Sequence, residues 1–322
     1  MKLFVVILNW NGKNDTLACL TSLLNIEAPA FETIIVDNGS TDDSVVEIVK
    51  RFPEVTVIET GKNLGYAGGN NVGIQHALKQ GADFVLLLNN DTIVDRHFIQ
   101  ALLNSSQDHP NVGIFGAYPI RMTDPEKIDH LGGRWNSKTA TFDLIGLGKA
   151  NGFKTEEPLD YVCGCSILIR RQVFEKIGHL EPTFFLFWEE ADFCMRAKKA
   201  GFEIEICYKA KLLHKVSASF VGGTPHKTYF WWRGRCLWME RNCSQEEKAR
   251  LYQTVLLPEI RHIFKLRLIK TAQLFINKLF QRKNLSQKKG KLLQYKAALN
   301  GYRDFRKSSF GSGPSWLFGK RE

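Results

Sequence analysis

Long apolar runs are missing from this 322-residue chain. No segment reaches the ~18 uncharged apolar residues that a bilayer-crossing helix needs, and Met1-Lys2-Leu3-Phe4 passes directly into a strand-like pattern instead of a signal peptide. The work of the protein is therefore expected in the cytoplasm. Paired cysteines are missing as well: seven thiols, an odd number scattered along the chain, point to a reducing compartment. Cys163-Gly164-Cys165 is too tight for an easy disulfide and lacks a second Cys/His pair at zinc spacing, so it reads as buried structure. No Gly-x-Gly-x-x-Gly follows the first strand, which turns into Asn9-Trp10-Asn11-Gly12, and this excludes a nicotinamide dehydrogenase. No internal repeat is present. What remains is a 44% hydrophobic chain able to bury a large domain with an appendage.

Acidic residues are scarce in one region only. Residues 244–322 hold 18 Lys+Arg against 5 Asp+Glu, whereas residues 1–243 hold 26 against 28, so the formal charge of +11 belongs to the tail. Such asymmetry suits an appendage that meets an anionic surface, lipid or nucleic acid. The tail reads as loosely amphipathic helix interrupted by Pro258, with Ile260, Ile263 and Phe264 at helical spacing among basic residues.

The apolar, β-branched runs Phe4–Leu8, Thr33–Val36, Val55–Ile58 and Phe84–Leu88 alternate with the helix-like stretches Asp15–Leu24, Ser44–Arg51 and Asn71–Lys79. This is the pattern of βαβ units and a mostly parallel α/β sheet with helices on both faces. Each strand runs out into polar residues: Asn9 and Asn11, then Asp37 and Asn38, then Asn63, then Asn89-Asn90-Asp91. In an open parallel sheet these ends line one ligand crevice. The glycines of Gly65-Tyr66-Ala67-Gly68-Gly69-Asn70 would let a loop approach that ligand closely. Ser40-Thr41-Asp42-Asp43 supplies a cap and acids for the next helix. Residues 110–162, rich in Gly, Pro and polar residues and with short strand candidates, are expected to cover the crevice on the acceptor side. Ser166–Ile169 reads as strand, and Asp192–Ala200 as a helix stopped by Gly201.

Three places carry chemistry. Asn89 and Asp91, two apart in an extended segment, would face the same way and seat Mg2+ or Mn2+. With a neutral Asn in the first position, the metal should be held weakly until a diphosphate completes its shell. Asp37, with Asn38 and Asp42, could accept hydrogen bonds from a base or ribose. Finally, Glu189, Glu190 and Asp192 follow five consecutive apolar residues, where burial and mutual repulsion raise a carboxylate toward the range of a general base. His214 gains interest only if a metal is already required.

The motifs "VVILNWNGK", "IIVDNGSTDDS", "NLGYAGGNNVGI", "VLLLNNDT", "CGCSILIRRQVFEKIG", "FFLFWEEADFCMRAKKAGF" and "HKVSAS", in this order over residues 3–243, resemble the family-two inverting glycosyltransferases of the GT-A fold, in their rhamnosyltransferase-like branch. The resemblance implies a nucleotide-diphosphate sugar donor, with a deoxysugar such as rhamnose the first guess, and an acceptor hydroxyl on a glycan or lipid-linked glycan. It implies a nucleotide-sugar half over about 1–109, an acceptor half over about 110–243, and a basic helical appendage over 244–322 as an anchor on an anionic membrane surface. Asp37 and Asp42 match the nucleotide loop, Asn89 and Asp91 the Asp-x-Asp element, and His214 a late metal-completing His. Asn9, Asn11, Asn38, Asn63, Gly65, Gly68, Asn70 and Arg233, with Asn89, complete the expected substrate-binding set. Glu190 falls at the base position of a Glu-Asp-x-x-Leu-type motif, yet the local order Glu190-Ala191-Asp192 leaves the base between Glu190 and Asp192. Arg233 is followed by Gly234 where relatives often have Arg-Asn. The implied site of action is the cytoplasmic face of the cell membrane. A nucleic-acid-binding reading of the basic tail gives the acid-bearing crevice no use, so no nucleic-acid partner is expected; a non-catalytic nucleotide-sugar binder differs only in turnover.

Overall fold

A computed structural model describes residues 1–215, 225–279 and 285–318, the last four positions of "HKVSAS" at 216–219 lying outside them. The chain forms two compact units. The first comprises residues 1–135, 142–182 and 189–217, and the second residues 136–141, 183–188 and 218–322.

The first unit is built on strands β1 (Leu3–Asn9), β2 (Phe31–Asp37), β3 (Thr56–Glu59), β4 (Phe84–Asn89), β5 (Thr92–Val94) and β6 (Val112–Arg121). A small three-stranded sheet follows, made of β7 (Gly132–Asn136), β8 (Thr141–Ile145) and β9 (Tyr161–Val162), before β10 (Ser166–Arg170) and β11 (Glu203–His214) return to the main one. The eight-stranded order is β3-β2-β1-β4-β10-β6-β11-β5. Pairings from β3 through β4 are parallel, as is β6 with β11; β10 runs antiparallel to both neighbours, and β5 runs antiparallel to β11. Because β1 is covered on both faces, its sequence is an unbroken apolar run instead of an alternation.

Helices α1 (Lys13–Leu24), α2 (Ser44–Arg51), α3 (Gly65–Lys79), α4 (Phe98–Asp108), α5 (Arg171–Ile177) and α6 (Glu189–Lys199) connect these strands. The expected strands and α1, α2 and α6 are present within a few residues. Helix α3, however, begins six residues before Asn71. The glycines expected to form a ligand-facing loop are its first turns: Gly65 takes a φ of 77° that favours glycine, and Gly69 packs on β1. A β-carbon on Gly73 would lie 2.4 Å from Val6 Cγ1, and one on Gly69 would lie 2.4 Å from Leu8 Cδ1. Low helix propensity is tolerated there because it allows the helix to sit directly on β1. Residues 112–121, expected in a covering region, form the buried central strand β6 instead.

In the second unit, α7 (Pro225–Asn242) packs on α10 (Leu285–Arg306), with α8 (Gln245–Leu251) and α9 (Leu257–Leu279) between them in sequence. The division expected at residue 243 thus falls inside one unit, since α7 belongs with the tail. A single π turn, Tyr252–Leu256, joins α8 to α9. Pro258 follows as the second residue of α9, so the chain passes it as helix and is not interrupted there. Among the described residues, no helix is long and apolar enough to cross a membrane.

Candidate active site

Strands β1 and β2 end as register partners at Asn9 and Asp37. Asn9 Nδ2 donates to Asp37 Oδ1 at 2.8 Å and to Ser40 Oγ at 3.1 Å, and Thr16 Oγ1 donates to Asn9 Oδ1 at 2.8 Å. The other Asp37 oxygen accepts from the Ser40 N–H at 3.0 Å. Asn38 Nδ2 donates to Asn63 Oδ1 and to the Gly65 carbonyl, both at 3.1 Å, while its Oδ1 accepts from the Leu64 N–H at 2.9 Å. Gly39 makes this crossing possible: it sits at φ 74°, and a β-carbon there would stand 2.6 Å from the Lys62 backbone.

Asn9, Asn38 and Asn70, expected to contact substrate, are buried, and Asn70 Nδ2 donates to its own helix at the Tyr66 carbonyl. Their amides are spent on holding loops, as buried amides must be. Gly65 and Gly68 belong to α3 and line no loop. Asn63 uses its Oδ1 on Asn38 and on the Gly65 N–H. The more open rim is formed by Asn11 and Asp42. Asn11, at φ 51°, accepts through Oδ1 from the Thr41 and Asp42 N–H groups at 2.8 and 3.2 Å. Asp42 is exposed and accepts from the Ser44 N–H at the start of α2.

The strand β4 ends at Asn89, and Asn90-Asp91 form a turn into β5. The two-residue alternation expected for Asn89 and Asp91 therefore does not apply across this turn. Asn89 is held through its main chain: its N–H donates to the Cys165 carbonyl at 2.9 Å, and its carbonyl accepts from Thr92 Oγ1 at 2.7 Å. Asp91 meets His214 instead. The antiparallel pairing of β11 with β5 puts His214 opposite Thr92, and its Nε2 lies 3.4 Å from Asp91 Oδ1. On its other side, His214 Nδ1 lies 3.0 Å from Asp129 Oδ2. Burial opposes charge on His214, but hydrogen bonding to Asp129 and Asp91 outweighs it and raises the imidazole to about 10.

These residues fit a divalent cation. Neighbouring ligand atoms of a small octahedral ion stand ~3 Å apart, close to the Asp91–His214 spacing, and Asp129 stands where a carboxylate orients a ligating imidazole through its far nitrogen.

Helix α6 opens on three acids that the structure separates. Asp192, fully buried, accepts from Arg196 Nε at 2.8 Å, and that guanidinium also donates to the Ile177 and His179 carbonyls at 2.7 and 2.8 Å. It is part of the scaffold. Glu189 and Glu190 each keep one buried oxygen, Oε2, without a hydrogen-bond partner. Burial raises Glu190 to about 7, and burial together with the neighbouring Glu190 raises Glu189 well above its ordinary range. The run leading into them is conformationally unusual, with Phe185, Phe187 and Trp188 all at positive φ.

Among the remaining neighbours of Glu190, Tyr66, Cys163 and Gly164 come from other motifs of the chain. Gly164 would place a β-carbon 3.4 Å from the Glu190 side chain, and Tyr66 fixes this turn by donating to the Gly164 carbonyl at 2.9 Å. Cys163 Sγ lies 3.5 Å from Cys165 Sγ and 3.6 Å from His130 Nε2. Asp129, His130 and Cys163 bring ligand-type atoms within 4.8 Å of one another. The one sequence cue was the adjacent Asp129-His130 pair; Cys163 lies more than thirty residues further on.

Arg233, expected to touch substrate, is fully buried in the second unit. Its guanidinium lies over Tyr229, Phe230 and Phe310, with Nη2 3.3 Å from the Phe184 carbonyl. It supports the aromatic packing of that unit. Gly234 lets α7 pass close to the 183–188 segment, since a β-carbon there would meet Trp188 at 2.7 Å.

The profile of glycosyl transferase family 2 matches residues 4–178. The chain belongs to this family. It is a glycosyltransferase with the GT-A arrangement of a mostly parallel sheet flanked by helices. It is 29% identical over 218 residues to a low-salt glycan biosynthesis hexosyltransferase, Agl10, of Haloferax volcanii, covering 66% of each chain. It is 27% identical over 261 residues to the N-acetylglucosaminyl-diphospho-decaprenol L-rhamnosyltransferase of Mycobacterium tuberculosis, covering 69% of this chain and 83% of that relative. Among solved structures, GalNAc-T7 with UDP, GalNAc and Mn2+ shares the fold, with a TM-score of 0.55 at 14% identity over 79% of this chain and 54% of that one.

Proposed function

We propose that this glycosyltransferase moves a sugar, with a deoxysugar such as rhamnose the first choice, from a nucleotide-diphosphate donor to a hydroxyl of a glycan or lipid-linked glycan at the inner face of the cell membrane, with inversion at the anomeric carbon. The mycobacterial rhamnosyltransferase relative supports both the sugar and the lipid-linked acceptor. The observation that carries the reading is the place where β11 delivers His214 to Asp91.

Asp37 and the Asn11–Asp42 rim receive the nucleotide side of the donor. Asp91 and His214 would hold Mg2+ or Mn2+, and Asp129 would orient the imidazole. The chemistry such an ion would supply there is neutralisation of charge on the diphosphate leaving group. Glu190 accepts the proton of the acceptor hydroxyl as its oxygen attacks; burial keeps that carboxylate near the working pH, where a base is most effective. Asp192, committed to Arg196, positions the helix. The test is a panel of nucleotide sugars, each with Mg2+ or Mn2+, read by thermal stabilisation and by product formation with the anomeric configuration assigned by NMR. Stabilisation by a donor without any turnover on glycan or lipid-linked acceptors would replace the enzyme reading with that of a nucleotide-sugar binder.

A further inference from the structure

Exposed large apolar side chains are rare on this protein, yet α9 carries four of them: Phe264 at 52% exposure, Leu268 at 56%, Ile269 at 42% and Phe275 at 73%. At 3.6 residues per turn, positions 264, 268 and 275 fall within about 40° of one another around the helix axis, with Ala272 beside them. They form one stripe ~16 Å long. Lys265 borders it on one side and Arg267 on the other, while Arg261 stands at its N-terminal end; Glu259 is the single acid of the helix. One flank of α9 packs on α10, and the stripe is what that packing leaves in water.

We infer that α9 is the membrane-docking element: it lies in the headgroup plane of an anionic bilayer, with Phe264, Leu268 and Phe275 inserted toward the acyl chains and Arg261, Lys265 and Arg267 against lipid phosphates. The charge selects this occupant. A second copy of the chain would bring the same basic border against itself, whereas an anionic leaflet offers both an apolar layer for the stripe and negative charge for its edges. Long basic side chains beside such a stripe reach the phosphates while their stems stay in the apolar layer. The assignment rests on the membrane-surface part of the proposed function and is independent of which sugar is transferred.

The test is flotation of the full chain on vesicles of phosphatidylcholine with or without phosphatidylglycerol. Wild-type protein should float with the anionic vesicles and lose binding in high salt. The exposed-face variant Phe264→Ser/Leu268→Ser/Phe275→Ser should bind at least ~10-fold more weakly, and Arg261→Gln/Lys265→Gln/Arg267→Gln ~100-fold more weakly at low salt. Both should keep the wild-type melting temperature and donor-induced stabilisation, because all six are side chains on one helix of the second unit and none is a residue of the described active site. Wild-type protein that never floats would overturn the membrane reading and this surface together. Equal flotation of wild type and both variants would overturn α9 alone. A wild-type dimer in light scattering, dissociated by the serine variant and indifferent to vesicles, would give the stripe to a second copy and also overturn it.

Discussion

At the end of β11, Asp91, His214 and Asp129 form a closed row in which each charge has a partner, whereas at the start of α6 Glu189 and Glu190 each bury an oxygen that has none. The first arrangement stabilises the charges it holds and fixes the direction of the imidazole. The second penalises charge, so both carboxyls are pushed up from their ordinary range, Glu190 to about 7. One unit of the protein thus prepares its acids in opposite ways, and the difference lies in what each carboxylate touches. Two residues beyond Glu190, the buried Asp192 has an ion-pair partner in Arg196 at 2.8 Å.

Breaking the contrast at its sharpest point gives the largest effect. Glu190→Gln should lower turnover about a thousandfold while donor binding measured by calorimetry stays within about twofold. The wild-type rate should rise with pH through an apparent value of about 7 belonging to the Glu189/Glu190 pair, and this rise should vanish in the variant. Stability has the opposite sign. A carboxylate raised from 4.5 to about 7 keeps its proton in the folded chain after the unfolded chain has lost it, so folding weakens as pH climbs through that window. A urea-denaturation series between pH 5 and 8 checks this.

Next in size, Asp192→Asn should cost about 3 kcal/mol of folding stability by leaving Arg196 without its buried carboxylate, with the pH profile of the surviving enzyme unchanged. A shifted profile would move the base to Asp192. Asp91→Asn should weaken Mn2+-dependent binding of nucleoside diphosphate by about a hundredfold, and Asp129→Asn, acting through His214, by about tenfold. Equal binding with and without chelator in the wild type would erase the cation side of the contrast.

Much of this was written in the sequence, for a physical reason. Strands buried on both faces must be apolar throughout, so β1 and β4 announced themselves, and the polar residues that stopped them marked the crevice edge. The pairing of Asp91 with His214 depends on β11 crossing to β5, a contact between distant residues that only the family resemblance anticipated. His130 and Cys163 sit in segments with no periodic pattern, and nothing local linked them. Gly65–Asn70 misled because weak helix propensity was overridden by packing on β1. Arg233 was expected at the substrate only through the family resemblance, and its guanidinium lies over aromatic rings instead.

The missing β-carbons of Gly69 and Gly73 have a further consequence. With side-chain atoms of β1 already occupying that space, α3 can neither slide nor roll along the strand, and this side of the crevice is a fixed floor. Rearrangement that admits or releases a donor has to be taken up by the loop tips above, where Asn11, Thr41 and Asp42 stand at the surface. Attempts to change donor preference should therefore vary those three positions and leave α3 untouched.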